Sequence, residues 1–213
     1  MLSFTTLPLM LVAGALALSV PVDKRQEIIC ATANGPISVV SAATDGFLGY
    51  LSSTLVNGQV VLTQEAAAAM TGSLECGTGP YPTAVENPTP STYTYFAAAA
   101  LYNDTLESGS PNWAFLTTSN LGEYVPNAWT DATGVPDVSV RQGIFAAYGV
   151  GKATLDVVWQ NGPGMEIQVQ AYGFVRNDGN LVGLTGDLNE FLTAMADEDQ
   201  SYTAVSFQMV GTS

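Results

Sequence analysis

The stretch that decides the fold class is Lys152–Phe191, KATLDVVWQNGPGMEIQVQAYGFVRNDGNLVGLTGDLNEF. Polar and apolar residues alternate without a break through residues 166–171, which is the two-residue period of a strand with one buried face. Leu155, Val157 and Trp159 repeat the same spacing earlier in the stretch. Two amphipathic strands in succession predict a sheet with one face toward a core.

Turn-forming residues follow each of these strands. Asn161-Gly162-Pro163-Gly164 comes after the first strand and Asn177-Asp178-Gly179-Asn180 after the second. Gly and Asn adopt positive φ at low cost, so both segments are typical of tight connections between antiparallel strands. The stretch therefore predicts an antiparallel meander, with Asp156 on its polar face.

The rest of the chain has the same β-prone character. Asn57-Gly58 is typical of a tight turn, and residues 122–136, rich in Gly, Pro and Asn, are predicted to form a loop. Glu65–Met70 carries four alanines and is compatible with either one helical turn or a buried strand. Further strands are predicted at Ile37–Val39, Phe47–Leu51, Gln59–Thr63, Thr92–Phe96, Pro111–Leu116 and Tyr202–Val210.

One short helix is predicted near the C-terminus. Asp187-Leu188-Asn189-Glu190 has the spacing of a capping box and opens a helix that runs through Met195. We therefore expect a mostly β protein: a single antiparallel, β-sandwich-like domain with this one helix. The domain is expected to span residues 26–213.

The first 25 residues are predicted to be removed from the mature protein. Residues 1–19 contain an apolar core followed by small residues, as in a signal peptide. Residues 20–25 form a short pro-segment that ends in the dibasic pair Lys24-Arg25, a predicted processing site. The alternative interpretation of that pair is a solvated charge pair in a disordered N-terminus. Signal-peptide removal predicts a secreted protein of the extracellular space or cell wall.

The charge balance is strongly acidic. Nineteen acidic and five basic residues give a net charge of −14, and removal of residues 1–25 changes it to −15. Such a surface repels phosphate backbones and anionic lipids, so we expect no nucleic-acid partner and no membrane partner after the signal peptide is lost. The ordinary explanation of this charge is solubility.

The two cysteines and the missing histidines limit the chemistry. Cys30 and Cys76 are predicted to form a disulfide, which by loop-closure entropy would contribute about 4 kcal/mol. The absence of histidine excludes Ser-His-Asp and Cys-His catalysis and nearly all catalytic zinc sites. No cofactor is predicted. Asn103-Asp104-Thr105 is a glycosylation sequon, which places Asn103 at the surface.

Several motifs carry a resemblance to a known group of proteins. They are SGSPNWAFLTTSN at 108–120, ATLDVVWQNGPG at 153–164 and LVGLTGDLNEF at 181–191, followed by a closing strand. In this order they resemble a group of secreted β-rich proteins of mushroom-forming fungi that has no assigned activity, over roughly residues 36–210. The resemblance implies an extracellular β-rich domain and brings no catalytic residues with it.

Pairs of carboxylates are the first candidates for chemistry, because glycoside hydrolysis uses one protonated and one ionised acid. Asp156 and Glu166 could face each other across a hairpin, and Asp187 and Glu190 lie near a turn. Each pair also has an ordinary explanation. The first lies on the polar face of the strands, and the second is accounted for by helix capping.

Aromatic residues that could stack on sugars are the second group of candidates. Trp113 and Trp159 belong to apolar strands and are predicted to be core residues. Trp129 and Tyr124 lie in the predicted loop, where a large ring has less reason to pack, so we predict them as glycan-binding residues.

Calcium is a weaker alternative. Residues 177–180 and Asp197-Glu198-Asp199 offer hard oxygen ligands, but a hairpin turn explains the first segment and neither follows EF-hand spacing. We therefore predict no metal site.

Taken together, these features favour a secreted, non-enzymatic protein of the extracellular space or cell wall that binds glycans. Its expected partner is a cell-wall polysaccharide or another glycan. Two alternatives stay open at this point: a carboxylate-dependent glycoside hydrolase with an acidic optimum, and a purely structural surface protein.

Overall fold

The computed structural model describes residues 33–74, 83–87, 92–100, 105–120, 127–134, 138–142, 144–148, 152–161, 167–196, 198 and 200–210. Several predictions fall outside these residues and stay predictions. They concern the signal peptide and pro-segment with Lys24 and Arg25, the pair Cys30 and Cys76, the sequon at Asn103, and Tyr124.

The described residues form thirteen strands, two α-helices and one 3-10 turn. In chain order they are β1 (Ala33–Ser41), β2 (Phe47–Leu51), β3 (Leu62–Thr63), the 3-10 turn (Ala66–Ala68), β4 (Thr71–Leu74), β5 (Ala84–Val85), β6 (Tyr95–Ala100), β7 (Trp113–Ser119), α1 (Ala128–Thr133), β8 (Ser139–Gln142), β9 (Phe145–Tyr148), β10 (Lys152–Asn161), β11 (Ile167–Arg176), β12 (Leu181–Thr185), α2 (Leu188–Ala194) and β13 (Tyr202–Val210).

The strand pairings run in a closed circuit, and every pair is antiparallel. From β1 the circuit passes through β4, β5, β6, β7, β12, β11, β10 and β13, and β13 returns to β1. The mostly β, antiparallel prediction is confirmed, but the sheet closes into a nine-strand barrel with β2, β3, β8 and β9 added to it. Alternation within a strand cannot distinguish a sandwich from a barrel, because both bury one face of every strand.

The meander predicted for the decisive stretch is confirmed. Strand β11 pairs with β10 on one side and β12 on the other, with Trp159 opposite Val169. The turn between β11 and β12 uses positive φ at Gly179 and Asn180. The alternation also predicts that Ile167, at the start of β11, is buried. This expectation is wrong, because Ile167 is 63% exposed. It pairs with Asn161 at the last described position of β10.

The barrel interior is the main hydrophobic core. Strands on opposite sides of the circuit contribute to it, and the ring of Phe145 contacts the rings of Phe96 and Phe207 edge-on. Leu155, Val157 and Trp159 point into it as the alternation predicts. The barrel interior therefore packs large side chains from both halves of the chain against each other.

The prediction of a single helix is wrong, because α1 lies within the predicted loop 122–136. Asn127 caps this helix by accepting hydrogen bonds from the backbone of Trp129 and Thr130, and Gly134 ends it in the left-handed conformation. A helix of six residues is too short to show a hydrophobic period, so its two ends were the only sequence cues.

The other two helical predictions have clear outcomes. Helix α2 is confirmed, with Asp187 accepting from the backbone N–H groups of Asn189 and Glu190 at 3.1 Å each and Met195 as its C-cap. Glu65–Met70, for which two structures were open, contains a single 3-10 turn at Ala66–Ala68.

A buried hydroxyl ties α1 to the sheet. The Tyr93 hydroxyl, just before β6, donates a hydrogen bond to the Asp131 carboxylate of α1. Replacing this buried phenol with Phe removes the bond while keeping the ring. We expect Tyr93→Phe to lower the free energy of unfolding by about 1–2 kcal/mol in urea at pH 7.

The pH dependence distinguishes this bond from simple packing. Burial, the hydrogen bond to Asp131 and the charge of that carboxylate raise the pKa of Tyr93 to about 12, from an ordinary value of 10.0. The stability contributed by the neutral phenol is therefore present below pH 10.0 and is lost as the pH rises through about 12. The difference between the two proteins should shrink across that window, and a difference that stays constant would contradict the bond.

Candidate functional site

A second apolar layer covers the outside of the barrel. Along β7, Ala114 and Leu116 belong to the interior core, so Trp113 and Phe115 point to the outer face. Along β11, Val175 belongs to the interior core, so its neighbour Phe174 points outward. Helix α2 packs over this face.

The rings of this outer layer touch in an unbroken series. Trp113 is 6.1 Å from both Phe115 and Phe174, measured between ring centroids. Phe174 stacks on Phe191 of α2 at 4.2 Å with an interplanar angle of 22°, and Phe191 meets Tyr202 edge-on at 5.1 Å. We call these five rings the aromatic layer. It joins β7, β11, α2 and β13 through side chains alone.

A glycine in β12 makes room for this layer. Gly183 lies opposite Phe174 in the β11–β12 register, and a Cβ added at Gly183 would collide with the Phe174 ring. The ring therefore lies directly against the β12 backbone, which is how an aromatic residue commonly covers a glycine in a sheet.

Where the aromatic layer meets the surface it leaves a cleft of about 450 Å³. This volume is within the range of small-molecule sites, which are mostly apolar with a few convergent polar groups. Phe115, Phe174 and Phe191 are buried, whereas Trp113 and Tyr202 are half-buried and offer ring surface to the opening. Apart from the aromatic layer, the lining consists of Gln59, Arg176, Leu181, Val182, Gly183, Met195, Glu198 and Gln200.

The hydroxyl of Tyr202 lies beside two polar side chains of the cleft. Its hydroxyl donates to the Gln200 side-chain oxygen at 2.9 Å and lies 3.5 Å from a carboxylate oxygen of Glu198. Burial and the negative charge of Glu198 raise the pKa of Tyr202, so the phenol stays protonated and remains a donor. The hydroxyl therefore fixes the Gln200 side chain at the cleft, with the Glu198 carboxylate close by.

Arg176, the one cation among the described residues of the cleft, is already paired. Its Nε atom lies 2.9 Å from a carboxylate oxygen of Asp178 in the following turn. The described lining therefore carries one guanidinium, Arg176, and one carboxylate, Glu198, and Asp178 beside it offsets part of the Arg176 charge.

A second, more open cavity of about 480 Å³ lies beside the start of α2. Its carboxylate, Asp187, accepts hydrogen bonds from the backbone N–H groups of Gly109, Asn189 and Glu190. These bonds, that from Gly109 foremost, lower the pKa of Asp187 and keep it ionised. The contacts of Asp187 match its predicted capping role and leave it poorly suited to donate a proton.

The other predicted carboxylate pair stays a prediction, because Glu166 lies outside the described residues. Its partner Asp156 lies across from Ala146 of β9, and partial burial raises the pKa of Asp156.

The three tryptophans differ in burial and in the layer that they join. Trp159 is fully buried in the barrel, as predicted. Trp113, predicted to be core, is half-buried at the cleft. Trp129 is only 6% exposed and its ring packs on Phe115 at 5.2 Å. Stacking on a sugar needs an open ring face, so this burial does not support Trp129 as a platform. The role of Tyr124 stays a prediction.

Sequence reasoning missed the cleft, although one cue was present. The run Trp113-Ala114-Phe115-Leu116 is apolar on both faces, and so is Phe174-Val175. A strand that is apolar on both faces must be covered on both sides. The polar partners Gln200 and Tyr202, by contrast, give no such cue.

No metal or membrane feature stands out in the part of the chain that is described. Within it, no three His, Cys, Asp or Glu residues are grouped so that they could hold a metal ion. Asp178, one of the residues considered for calcium, pairs with Arg176. The helices found among the described residues are too short or too polar to cross a membrane.

Comparison with protein-family models, with curated proteins and with solved structures found no match.

Proposed function

We propose that this protein is a secreted, non-enzymatic glycan-binding protein of the extracellular space or cell wall, and that the aromatic cleft is its binding site. The observation that carries the proposal is the convergence, on one cleft of about 450 Å³, of two half-buried rings and several fixed polar groups. The predicted signal peptide and the resemblance to secreted fungal proteins support the location.

The chemistry of the cleft suits a sugar. A pyranose ring has an apolar face that packs on aromatic rings and a rim of hydroxyls that need hydrogen-bond partners. Trp113 and Tyr202 supply ring surface, and Gln59, Gln200 and Glu198 supply donors and acceptors on the same lining. Because the Tyr202 hydroxyl already holds Gln200, part of the polar rim is preorganised, and this lowers the ordering cost of binding.

The hydrolase alternative has less support at this cleft. Glycoside hydrolysis by two carboxylates requires them on opposite sides of the scissile bond. Among the described residues that line the cleft, Glu198 is the only acid. Nearby Asp178 is engaged with Arg176. Binding therefore accounts for the residues of the cleft more completely than hydrolysis does.

The test is a glycan array followed by titration of Trp113→Ala. We expect the variant to bind array hits roughly 10- to 100-fold more weakly, because truncating a central aromatic contact typically has an effect of this size. Binding is measured by quenching of tryptophan fluorescence for the wild type and by calorimetry for both proteins.

Two controls keep this test interpretable. Tyr172→Ala removes an exposed ring that does not line the cleft and should leave binding unchanged. Trp113→Phe retains a ring and should recover part of the affinity. An array without hits for folded wild-type protein would overturn the proposed function, and unchanged binding by a folded Trp113→Ala would move the site elsewhere.

A further inference from the structure

Building on the proposed function, we propose that the cleft selects glycans that carry a protonated amine, that is, amino sugars without an N-acetyl group. The ammonium group would lie between the Glu198 carboxylate and the ring surfaces of Trp113 and Tyr202. The proposed amine selectivity concerns the same cleft, and it can be disproved while glycan binding at the cleft still holds.

Charge complementarity is the first argument. Arg176 would favour an anionic ligand, but its Nε lies 2.9 Å from the carboxylate of Asp178, which offsets part of its charge. Glu198 is the carboxylate of the described lining and makes no ion pair with a described residue, in a chain whose net charge is −14. The Glu198 carboxylate would repel an anionic sugar and attract an ammonium group. Binding of a neutral sugar would not depend on this charge.

The aromatic layer is the second argument. Ring faces attract cations through their quadrupole, with Trp the strongest, and the attraction grows as the cation loses water. Trp113 and Tyr202 line the cleft from β7 and β13, and both are half-buried. A carboxylate beside aromatic ring surface is the combination that recognises an ammonium group better than a hydroxyl.

Tyr202 makes the carboxylate well placed for this role. Its hydroxyl lies 3.5 Å from a Glu198 oxygen, and it also donates to Gln200 at 2.9 Å. The Glu198 carboxylate therefore lies close to the ring that would face the ligand, and its side chain is exposed to an incoming cation. The selectivity requires no movement of the strands.

The experiment compares three oligosaccharides of equal length by calorimetry at pH 5: one of glucosamine, its fully N-acetylated counterpart, and one of glucose. Acetylation keeps the sugar ring and removes the charge of the amine. The difference in affinity between the first two oligomers therefore measures the contribution of the ammonium group. We expect the glucosamine oligomer to bind at least 10-fold more tightly than the acetylated one. Glu198→Gln should reduce that ratio to about 3-fold or less, because it should weaken binding of the glucosamine oligomer far more than binding of the acetylated one.

A matched variant distinguishes binding at the cleft from non-specific attraction of a cationic oligomer to an acidic protein. Glu86→Gln removes one exposed carboxylate that does not line the cleft and should leave the ratio unchanged. An equal fall in this affinity ratio in Glu198→Gln and Glu86→Gln would overturn the proposal in favour of non-specific attraction. Equal or tighter binding of the acetylated or glucose oligomer would overturn the amine selectivity and keep the glycan site. Absence of binding to all three oligomers and to the array would overturn both proposals.

Discussion

Trp159→Ala is expected to lower the free energy of unfolding by about 3–5 kcal/mol, as is usual for a large ring lost from a packed core. Trp159 is fully buried in the barrel interior and pairs with Val169 across β10 and β11. Truncation leaves a cavity that neighbouring strands cannot close, because each is fixed by its own ladder of hydrogen bonds. Urea unfolding followed by circular dichroism measures the change.

The comparison with other positions makes this prediction specific. Trp159→Phe keeps most of the ring volume and should cost clearly less than Trp159→Ala. Tyr172→Ala, on the outer face of β11, should change stability by less than about 0.5 kcal/mol. A loss below about 1 kcal/mol for Trp159→Ala would show that the barrel interior is not packed around this ring.

The meander could be predicted from sequence because its determinants are local. Alternation along β10 and β11 and the turn at Gly179 and Asn180 lie within one stretch, so neighbouring residues report the pairing directly. The closure of the barrel could not be predicted in this way. It depends on β1 pairing with β13, where Ile37 faces Met209 from the other end of the domain, and no local pattern encodes that partner.

The candidate site depends on the same kind of distant contact. Trp113, Phe174 and Phe191 come from three separate elements, and each is explained in its own segment by an apolar strand or helix face. Composition instead drew attention to Trp129, in a segment that looks like a loop. The six-residue helix there buries that ring, so a residue that looked free for binding helps to hold the outer layer.

Gly58→Ala is the second large expected effect, because the Asn57-Gly58 turn is packed against α1. Gly58 has φ +74°, and a Cβ there would collide with the backbone of Ala128 and Trp129. Its carbonyl accepts a hydrogen bond from the Thr117 hydroxyl at 2.7 Å, which fixes the turn on β7. The left-handed conformation and the overpacking together should lower the free energy of unfolding by roughly 2–5 kcal/mol.

Gly109→Ala is the matched control that separates these two causes. Gly109 has φ +80°, close to that of Gly58, but nothing lies within 4 Å of the position where its Cβ would be. It should therefore show only the conformational cost of roughly 1–2 kcal/mol. The additional loss of unfolding free energy in Gly58→Ala, relative to Gly109→Ala, measures the contact between the turn and α1. Near-ultraviolet circular dichroism should show that the environment of Trp129 changes in Gly58→Ala. Equal losses in the two variants would mean that α1 can move away from the turn at no cost, and the outer layer would then be less tightly fixed than its ring contacts indicate.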